Sequence, residues 1–497
     1  MVVCDCSHTF KIENLETAKT SVNKVGKKIK VNTSSKTMLA DIHTPVGIYL
    51  RLRDRFRDTI LLESTDSHAA ENSYSFIGIN AIAGIEIKED HQLEFKLPGQ
   101  NPDKMQLKKT DKLDAVLWNF MQNFQMESDA SKSARFAQGL YGYFTFETTQ
   151  LFEDIHFKQD ADATNKIPLA RYRMYQYVIA INHYKDELVL CENRIEGLES
   201  DLNLVESLIN SKDVPAYPFS LIEQETSNLD DKSYINIVEK GIQSCLRGDV
   251  FQIVLSRRFQ QSFIGDEFNV YRALRHINPS PYLFFFDYGD YKLMGSSPEA
   301  QLIIINGKAI VHPIAGTFKR TGDDVVDQEK ATALTKDPKE NAEHVMLVDL
   351  ARNDLSTVCK NVEVKQFRKI QYYSHVIHLV SEVTGDVVDG TNPFEILFKT
   401  FPAGTLSGAP KYKALQLIDQ YEPTRRSFYG GAIGFVGTDG SCNHAIMIRS
   451  LLSKQNTLIY QAGAGVVAAS KPESELEEVD NKLNALKKSI QLACEIH

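Results

Sequence analysis

The chain is poor in the residues that mark several large protein classes. It has one tryptophan, and its seven cysteines are scattered with none in a CxxC spacing; Cys4 and Cys6 stand too close together for a metal-type pair. That pattern excludes a zinc ribbon or a disulfide scaffold and fits a reducing cytoplasm. No apolar run is long enough to cross a bilayer. The phosphate loop GxxxxGK[ST] and the dinucleotide fingerprint are both missing. No cysteine has the GxCxG setting of a glutamine-hydrolysing nucleophile, so nothing here looks able to release ammonia from glutamine. Positive charge is also scarce: a net charge of -9 argues against a general nucleic-acid or anionic-membrane surface. An anionic substrate would need a local basic pocket.

With 42% hydrophobic and 24% charged residues, the composition is that of an ordinary globular protein, and disorder drops out. At 497 residues the length prior is roughly three domains. The first forty residues carry lysines at 11, 19, 24, 27, 28, 30 and 36 but no arginine and no apolar core, so they fit neither a secretory signal nor a transit peptide. We read residues 1–44 as a loosely packed arm, 45–210 as a first part, the polar, proline-bearing stretch 211–231 as a linker, and 232–497 as a second part.

In the first part TILLEST (59–65) and QGLYGYFTFE (138–147) read as strands, and 177–183 with 187–191 as a hairpin. The second part pairs apolar runs 282–287 with 292–296, 302–305 with 309–314 across Asn306-Gly307, and 432–436 with 444–450 across Asp439-Gly440. Helical patterns cover 232–247, 325–351, 410–420 and 473–494. Hairpins mean antiparallel pairing, so the fold class expected is α+β: mainly antiparallel sheets covered by helices.

Two acidic stretches stand out. DPKENAEHVMLVDLARND (337–354) and SKPESELEEVDNK (470–482) each present two glutamates three apart, Glu340 with Glu343 and Glu475 with Glu478, on one helix face. Brought together, four carboxylates suit a hard cation such as magnesium. The same residues also read as helix starts, with Asp337 and Ser470 as N-caps ahead of prolines 338 and 472. On spacing alone capping and a solvated face are the commoner explanation. Three small-residue turns follow at 313–317, 404–410 and 461–465; the second opens a helix and would favour an anion. Arg449, within the apolar run HAIMIRSLL, needs either a structural ion pair or an anionic ligand, and Tyr429 is a second anion partner. His375 and His378 face opposite sides of a strand.

Taken together, LLES (61–64), NPSPYLFFF (278–286), SSPE (296–299), PIAGT (313–317), ENAEHVMLVDLARNDL (340–355), GTLSGAPK (404–411), YGGAIGF (429–435), IRS (448–450), QAGAGVV (461–467) and the terminal ESELEE resemble the large components of anthranilate synthase. The match is dense, ordered, and runs from about Thr59 to the C-terminus. The resemblance implies a chorismate-utilising fold with magnesium as cofactor. Glu343 and Glu478 would bind the metal most directly, with Glu340 and Glu475 behind them, and the metal would hold the ring carboxylate of chorismate. The second carboxylate would meet Tyr429, Arg449 and the backbone of Gly463, Ala464 and Gly465. Gly316, Thr317 and Thr405 would line the ring. Glu299 would be the acid that protonates the leaving hydroxyl, with its pKa raised by burial, and His378 would assist loss of pyruvate.

The resemblance also implies feedback inhibition by tryptophan at Glu63, Ser64, Pro281, Tyr282 and Leu283, with Ile433 and Phe435 nearby. A separate glutamine amidotransferase subunit would supply ammonia. Related chorismate enzymes differ at two positions: aminodeoxychorismate synthases read PIKGT where this chain has Ala315, and isochorismate synthases place a lysine base where it has Gln252. A non-catalytic tryptophan sensor would be favoured by loss of Glu299, His378 or a metal glutamate, and all are present. A magnesium phosphatase or nuclease would need clustered aspartates, which are missing.

Overall fold

The computed structural model describes residues 28–64, 73–127, 134–158, 164–372 and 376–496. Its strands form one hydrogen-bonded network with two branches that diverge from Ala170–Asn182. One branch runs through Tyr74–Ile87, Thr59–Glu63, Tyr282–Asp287, Tyr291–Ser297, Ser450–Lys454, Thr457–Val466 and Gln252–Gly265. The other runs through Gly139–Phe144, Ala432–Gly437, Cys442–Ile446, Ala300–Ile305, Lys308–Val311 and Val376–Val387. All of these pairings are antiparallel, as the hairpin signals required. Asn306 and Gly307 both take positive φ, 51° and 72°, as a tight Asn-Gly hairpin turn demands.

Side-chain alternation sorts the core into layers. Along Tyr282–Asp287, Leu283 and Phe285 join the cluster that packs under the helices Asp231–Leu246, Phe268–Ile277, Lys411–Tyr421 and Pro472–Ala493. Phe284 and Phe286 point the other way, into a cluster shared with Tyr143, Ile433 and Ile446 of the second branch. The second branch buries its outer face beneath Leu113–Met121, Pro393–Thr400 and Pro338–Ser356. This is an α+β protein with a dry layer between two sheet branches and helices outside. No helix among the described residues is long and apolar enough to cross a membrane.

Several boundaries differ from the sequence reading. Within the expected arm, Ile29–Leu39 is a strand paired with Glu187–Arg194 and, over its first three residues, with Phe124–Met126. Its alternation is weak because one face is exposed, which is why it read as loose. Residues 1–27 lie outside the described part. The helical pattern 325–351 is two helices, Asp324–Lys336 and Pro338–Ser356: Asp337 takes ψ 118°, since a residue before proline is driven out of the helical region. Asp337 caps the second helix, its Oδ1 accepting from Glu340 N at 3.0 Å. Ser470 does not cap the last helix; its hydroxyl turns back to accept from Val467 N, and Lys471 holds the cap position with no side-chain bond. The run 444–450 is broken, ending as one strand at Ile446 and restarting as another at Ser450. Of the linker, Phe219–Leu221 and Thr226–Ser227 pair along Gln252–Gly265.

The two parts expected on either side of that linker share both branches, through Thr59–Glu63 on Tyr282–Asp287 and Gly139–Phe144 on Ala432–Gly437. Separating them would uncover Leu61, Phe284, Phe285 and Ile433, at roughly 1.5–3 kcal/mol for each side chain. We therefore expect the whole chain to unfold in one cooperative calorimetric transition. Two transitions, one surviving in a fragment that begins at residue 211, would contradict it.

Candidate active site

The chain crosses between the branches twice, side by side. One crossing leaves Tyr291–Ser297 and enters at Ala300, passing through Glu299; the other leaves Cys442–Ile446 and re-enters at Ser450, passing through Arg449. They hold each other by backbone bonds, Ile446 N to Glu299 O at 3.0 Å and Ser296 N to Arg449 O at 3.1 Å. Arg449 takes φ 48°, a costly conformation for a non-glycine residue and of the kind that gathers at working sites. The strand break therefore puts the arginine at a corner, where its guanidinium leaves the sheet.

Burial pushes the Glu299 carboxyl up to about 7, even though the Thr405 hydroxyl donates to it at 3.1 Å and the Lys482 ammonium lies near, both of which pull it down. Thr405 sits in the turn Gly404–Leu406. The stretch 404–410 opens a helix as expected: Pro410 holds the cap position and the helix begins at Lys411, whose ammonium pairs with Asp354 at 2.9 Å. Burial depresses Arg449, whose Nη1 donates to Asn278 Oδ1 at 3.3 Å. Among the described residues no carboxylate pairs with it, so the structural ion pair is not what justifies its position.

On the neighbouring strands, His378 Nδ1 meets Gly316 O at 3.0 Å. A carbonyl only accepts, so Nδ1 carries the hydrogen and Nε2 the lone pair. Burial, joined by the Arg449 charge and opposed by the bond to Gly316 O, drives this histidine down to about 4. Gly316 has φ 70°, and a Cβ there would stand 3.1 Å from Glu340 Oε2, so glycine is needed for both conformation and space. The side chain of Thr317 and all of His375 lie outside the described residues. Gln252 donates from Nε2 to Glu343 Oε1 at 3.0 Å, and a Cβ on Gly465 would fall 2.5 Å from that Nε2. Strand pairing of Val254 with Gly465, Leu255 with Ala464 and Ser256 with Gly463 holds this floor in place. Burial raises the Tyr429 phenol, with the Arg426 charge and the Gly463 amide pulling the other way.

The four glutamates are the oxygen donors that a hard cation accepts. Glu343 accepts from Gln252, Glu478 pairs with Lys482 at 2.7 Å, and the described residues hold no cluster of three His, Cys, Asp or Glu groups, so a cation would have to draw these side chains from their present partners. Glu475 is 4% exposed, whereas the Glu478 side chain is half-exposed. Lys482 is the residue the sequence reading missed. Its ammonium bonds Glu478 and Gly463 O, the latter at 2.9 Å, and its charge reaches Glu299. The signal was there: it lies four residues beyond Glu478 on the same helix face.

A family model for chorismate binding enzymes matches residues 67–488. The chain belongs to the chorismate binding enzyme family. It is 34% identical to anthranilate synthase component 1 of Aquifex aeolicus over 97% of this chain and 99% of that one. It is 37% identical to the protein of that name from Neisseria meningitidis serogroup A, over 92% and 94%. The solved anthranilate synthase component I of Streptococcus pneumoniae superposes with TM-score 0.73 at 28% identity, covering 90% of this chain and 98% of that chain. The menaquinone-specific isochorismate synthase of Escherichia coli gives TM-score 0.70 at 17% identity, covering 94% and 97%, a likeness of fold alone.

The second set of residues expected from the resemblance is divided by the sheet of this chorismate binding enzyme. Glu63 pairs with Leu283 and both face the outer helices, where Tyr271 donates to Glu63 at 2.6 Å and Arg275 at 3.0 Å. Burial raises the Glu63 carboxyl against the opposing pull of those two groups. Tyr282, Ile433 and Phe435 face the inner layer with Leu62 and Phe76. Pro281 and Ser64 flank the paired strands.

Glu299 supplies a test of the electrostatics. Its folded pKa lies above the unfolded carboxylate value, so between pH 4.5 and about 7 the folded chain holds a proton that the unfolded chain has lost, and stability falls as pH rises. The stability of the native chain relative to Glu299→Gln should drop by on the order of 3 kcal/mol across that window in urea unfolding. A difference independent of pH would contradict the raised pKa.

Proposed function

We propose that this chain is an anthranilate synthase component I, converting chorismate and ammonia to anthranilate and pyruvate in tryptophan biosynthesis. The observation that carries the reading is the pair of sheet corners. One corner holds a buried arginine with no carboxylate partner among the described residues, and the corner bonded beside it holds a carboxyl whose pKa burial raises to about 7. That combination suits a small anionic substrate with a poor leaving group. Arg449 and the Tyr429 hydroxyl would take one carboxylate.

Glu299 would give its proton to the departing hydroxyl as ammonia bonds to the ring carbon beside the carboxylate-bearing one. The ring then loses a proton from the aminated carbon. The ring bond to the enolpyruvyl oxygen breaks with its electron pair, and the departing enolate takes a proton on its methylene carbon to become pyruvate. His378, neutral at pH 7 with its lone pair on Nε2, would assist this second step. Gln252 has no basic atom with which to activate water, and Ala315 offers no amine to attack the ring, which supports ortho amination by free ammonia over the rival outcomes. Magnesium would be held by Glu343 and Glu478 with Glu340 and Glu475, where it would neutralise and orient the ring carboxylate.

The partner would be a glutamine amidotransferase subunit, in keeping with the relatives' naming as component 1. Tryptophan would inhibit by binding where Ser64, Pro281 and Tyr282 meet Ile433 and Phe435, two strands joined through Ala432 to the Tyr429 segment. The location assigned is cytoplasmic.

Protein, chorismate, magnesium and ammonium should yield equal amounts of 2-aminobenzoate and pyruvate by chromatography. 4-Amino-4-deoxychorismate, isochorismate or salicylate as the main product would replace this reading with the corresponding rival. Glu343→Ala and Glu478→Ala should each abolish turnover and weaken magnesium binding measured by calorimetry. Unchanged magnesium affinity in both would remove the metal assignment. Tryptophan should inhibit the native chain and fail against Ser64→Phe, and equal inhibition of both would relocate its site.

A further inference from the structure

Behind the proposed site lies a buried ion pair that the chemistry above does not use. Arg426 is 1% exposed and Glu422 is 3% exposed. The guanidinium forks onto the carboxylate, Nε to Oε2 at 2.9 Å and Nη2 to Oε1 at 2.6 Å. It also donates from Nη1 to Leu406 O at 2.6 Å and from Nη2 to Val254 O at 2.7 Å. Its own backbone is fixed, because the Glu147 carboxylate accepts Arg426 N at 2.8 Å and Arg426 O accepts Tyr429 N at 3.1 Å. The charge stacks over the Phe146 ring at 4.6 Å and lies 5.7 Å from the Tyr429 ring. Glu422 in turn accepts from the Ser256 amide at 2.8 Å and hydroxyl at 2.7 Å.

The two carbonyls that the guanidinium reaches belong to different elements of the site. Leu406 O closes the turn that carries Thr405, the donor to Glu299. Val254 O is on the strand that presents Gln252, two residues on. Tyr429 begins the segment proposed to meet the substrate carboxylate. As a stabilising device a buried ion pair is poor, since desolvating two charges offsets most of their attraction and an apolar replacement often serves as well. What apolar side chains could not do is fasten two backbone segments to one planar fork with fixed angles while setting its charge beside the Tyr429 ring.

We propose that Arg426, clamped by Glu422, is the positioning residue that sets Thr405, Tyr429 and Gln252 in register around the substrate. The proposal rests on the functional reading above for its substrate, chorismate. Lysine at this position keeps the charge but cannot span Glu422, Leu406 O and Val254 O together. Glutamine in place of Glu422 keeps shape and the acceptor for Ser256 while giving up the charge that aims the fork.

The experiment uses the full chain with Arg426→Lys, Glu422→Gln, Thr405→Val and the double variant Arg426→Lys/Thr405→Val, with kinetics scaled to folded protein by circular dichroism. Chorismate kcat/KM should fall about a hundredfold in Arg426→Lys, as for an ångström-scale misplacement. Part of the loss should lie in KM through Tyr429 and part in kcat through Thr405. Thr405→Val should cost much less in the Arg426→Lys background than in the native one, because its bond to Glu299 is already displaced. Glu422→Gln should repeat the KM and kcat pattern in milder form, and it decides alone if Arg426→Lys does not fold. Native kcat and KM in folded Arg426→Lys and Glu422→Gln, or an equal cost of Thr405→Val in both backgrounds, would reduce the pair to a structural role. Failure of the anthranilate reading shows in the native chain by itself, as a different product. In that case chorismate affinity by calorimetry, lowered in Arg426→Lys and Glu422→Gln, still reads the positioning role, and native affinity in both overturns it.

Discussion

The constraint on which the rest depends is the double crossing between the two sheet branches. Two strands change branch side by side and are stitched there by backbone hydrogen bonds from Ile446 to Glu299 and from Ser296 to Arg449. A sheet corner is one of the few places where a side chain can leave a β layer without facing either the core or open water. The fold uses both corners to place groups that a regular strand would have to pair or expose. Glu299 keeps its proton because burial disfavours its charged form, and Arg449 takes a left-handed backbone and has no carboxylate partner among the described residues. The lobes that look separable in sequence share both branches, so neither could present this site alone.

Much of this was legible in the sequence where local chemistry decides. Asn306-Gly307 fixed a hairpin and Asp337-Pro338 a helix start. The ordered motifs identified the family because each marks a place where backbone and side chains must approach closely, as at Gly316. What stayed hidden depended on long-range pairing. The break at Arg449 is invisible in the apolar run around it, since only the register of two different branches requires the turn. Strand Ile29–Leu39 looked loose because it is stabilised by partners about 90 and 160 residues away, not by its own pattern. Tyr282 and Leu283 are neighbours in sequence, yet alternation sends Leu283, with its strand partner Glu63, to one face and Tyr282 to the other.

The electrostatic layout is consistent with small-anion chemistry in a chain of net negative charge. Positive groups are spent locally: Arg449 at a corner, Arg426 clamped behind it, Lys482 between Glu478 and Gly463. His378, driven down to about 4, is neutral where Glu299, driven up to about 7, is still largely an acid. Burial thus pushes two titrating groups apart and gives them opposite roles at one pH.

The central claim is that burial lets Glu299 hold its proton far above the ordinary carboxylate range, to about pH 7. Infrared difference spectroscopy of the native chain against Glu299→Gln, titrated from pH 5 to pH 9, measures this directly. A protonated carboxyl band absent from the variant should persist at pH 6 and disappear with a midpoint near 7. A band already lost by pH 5, leaving only carboxylate absorption, would contradict the account.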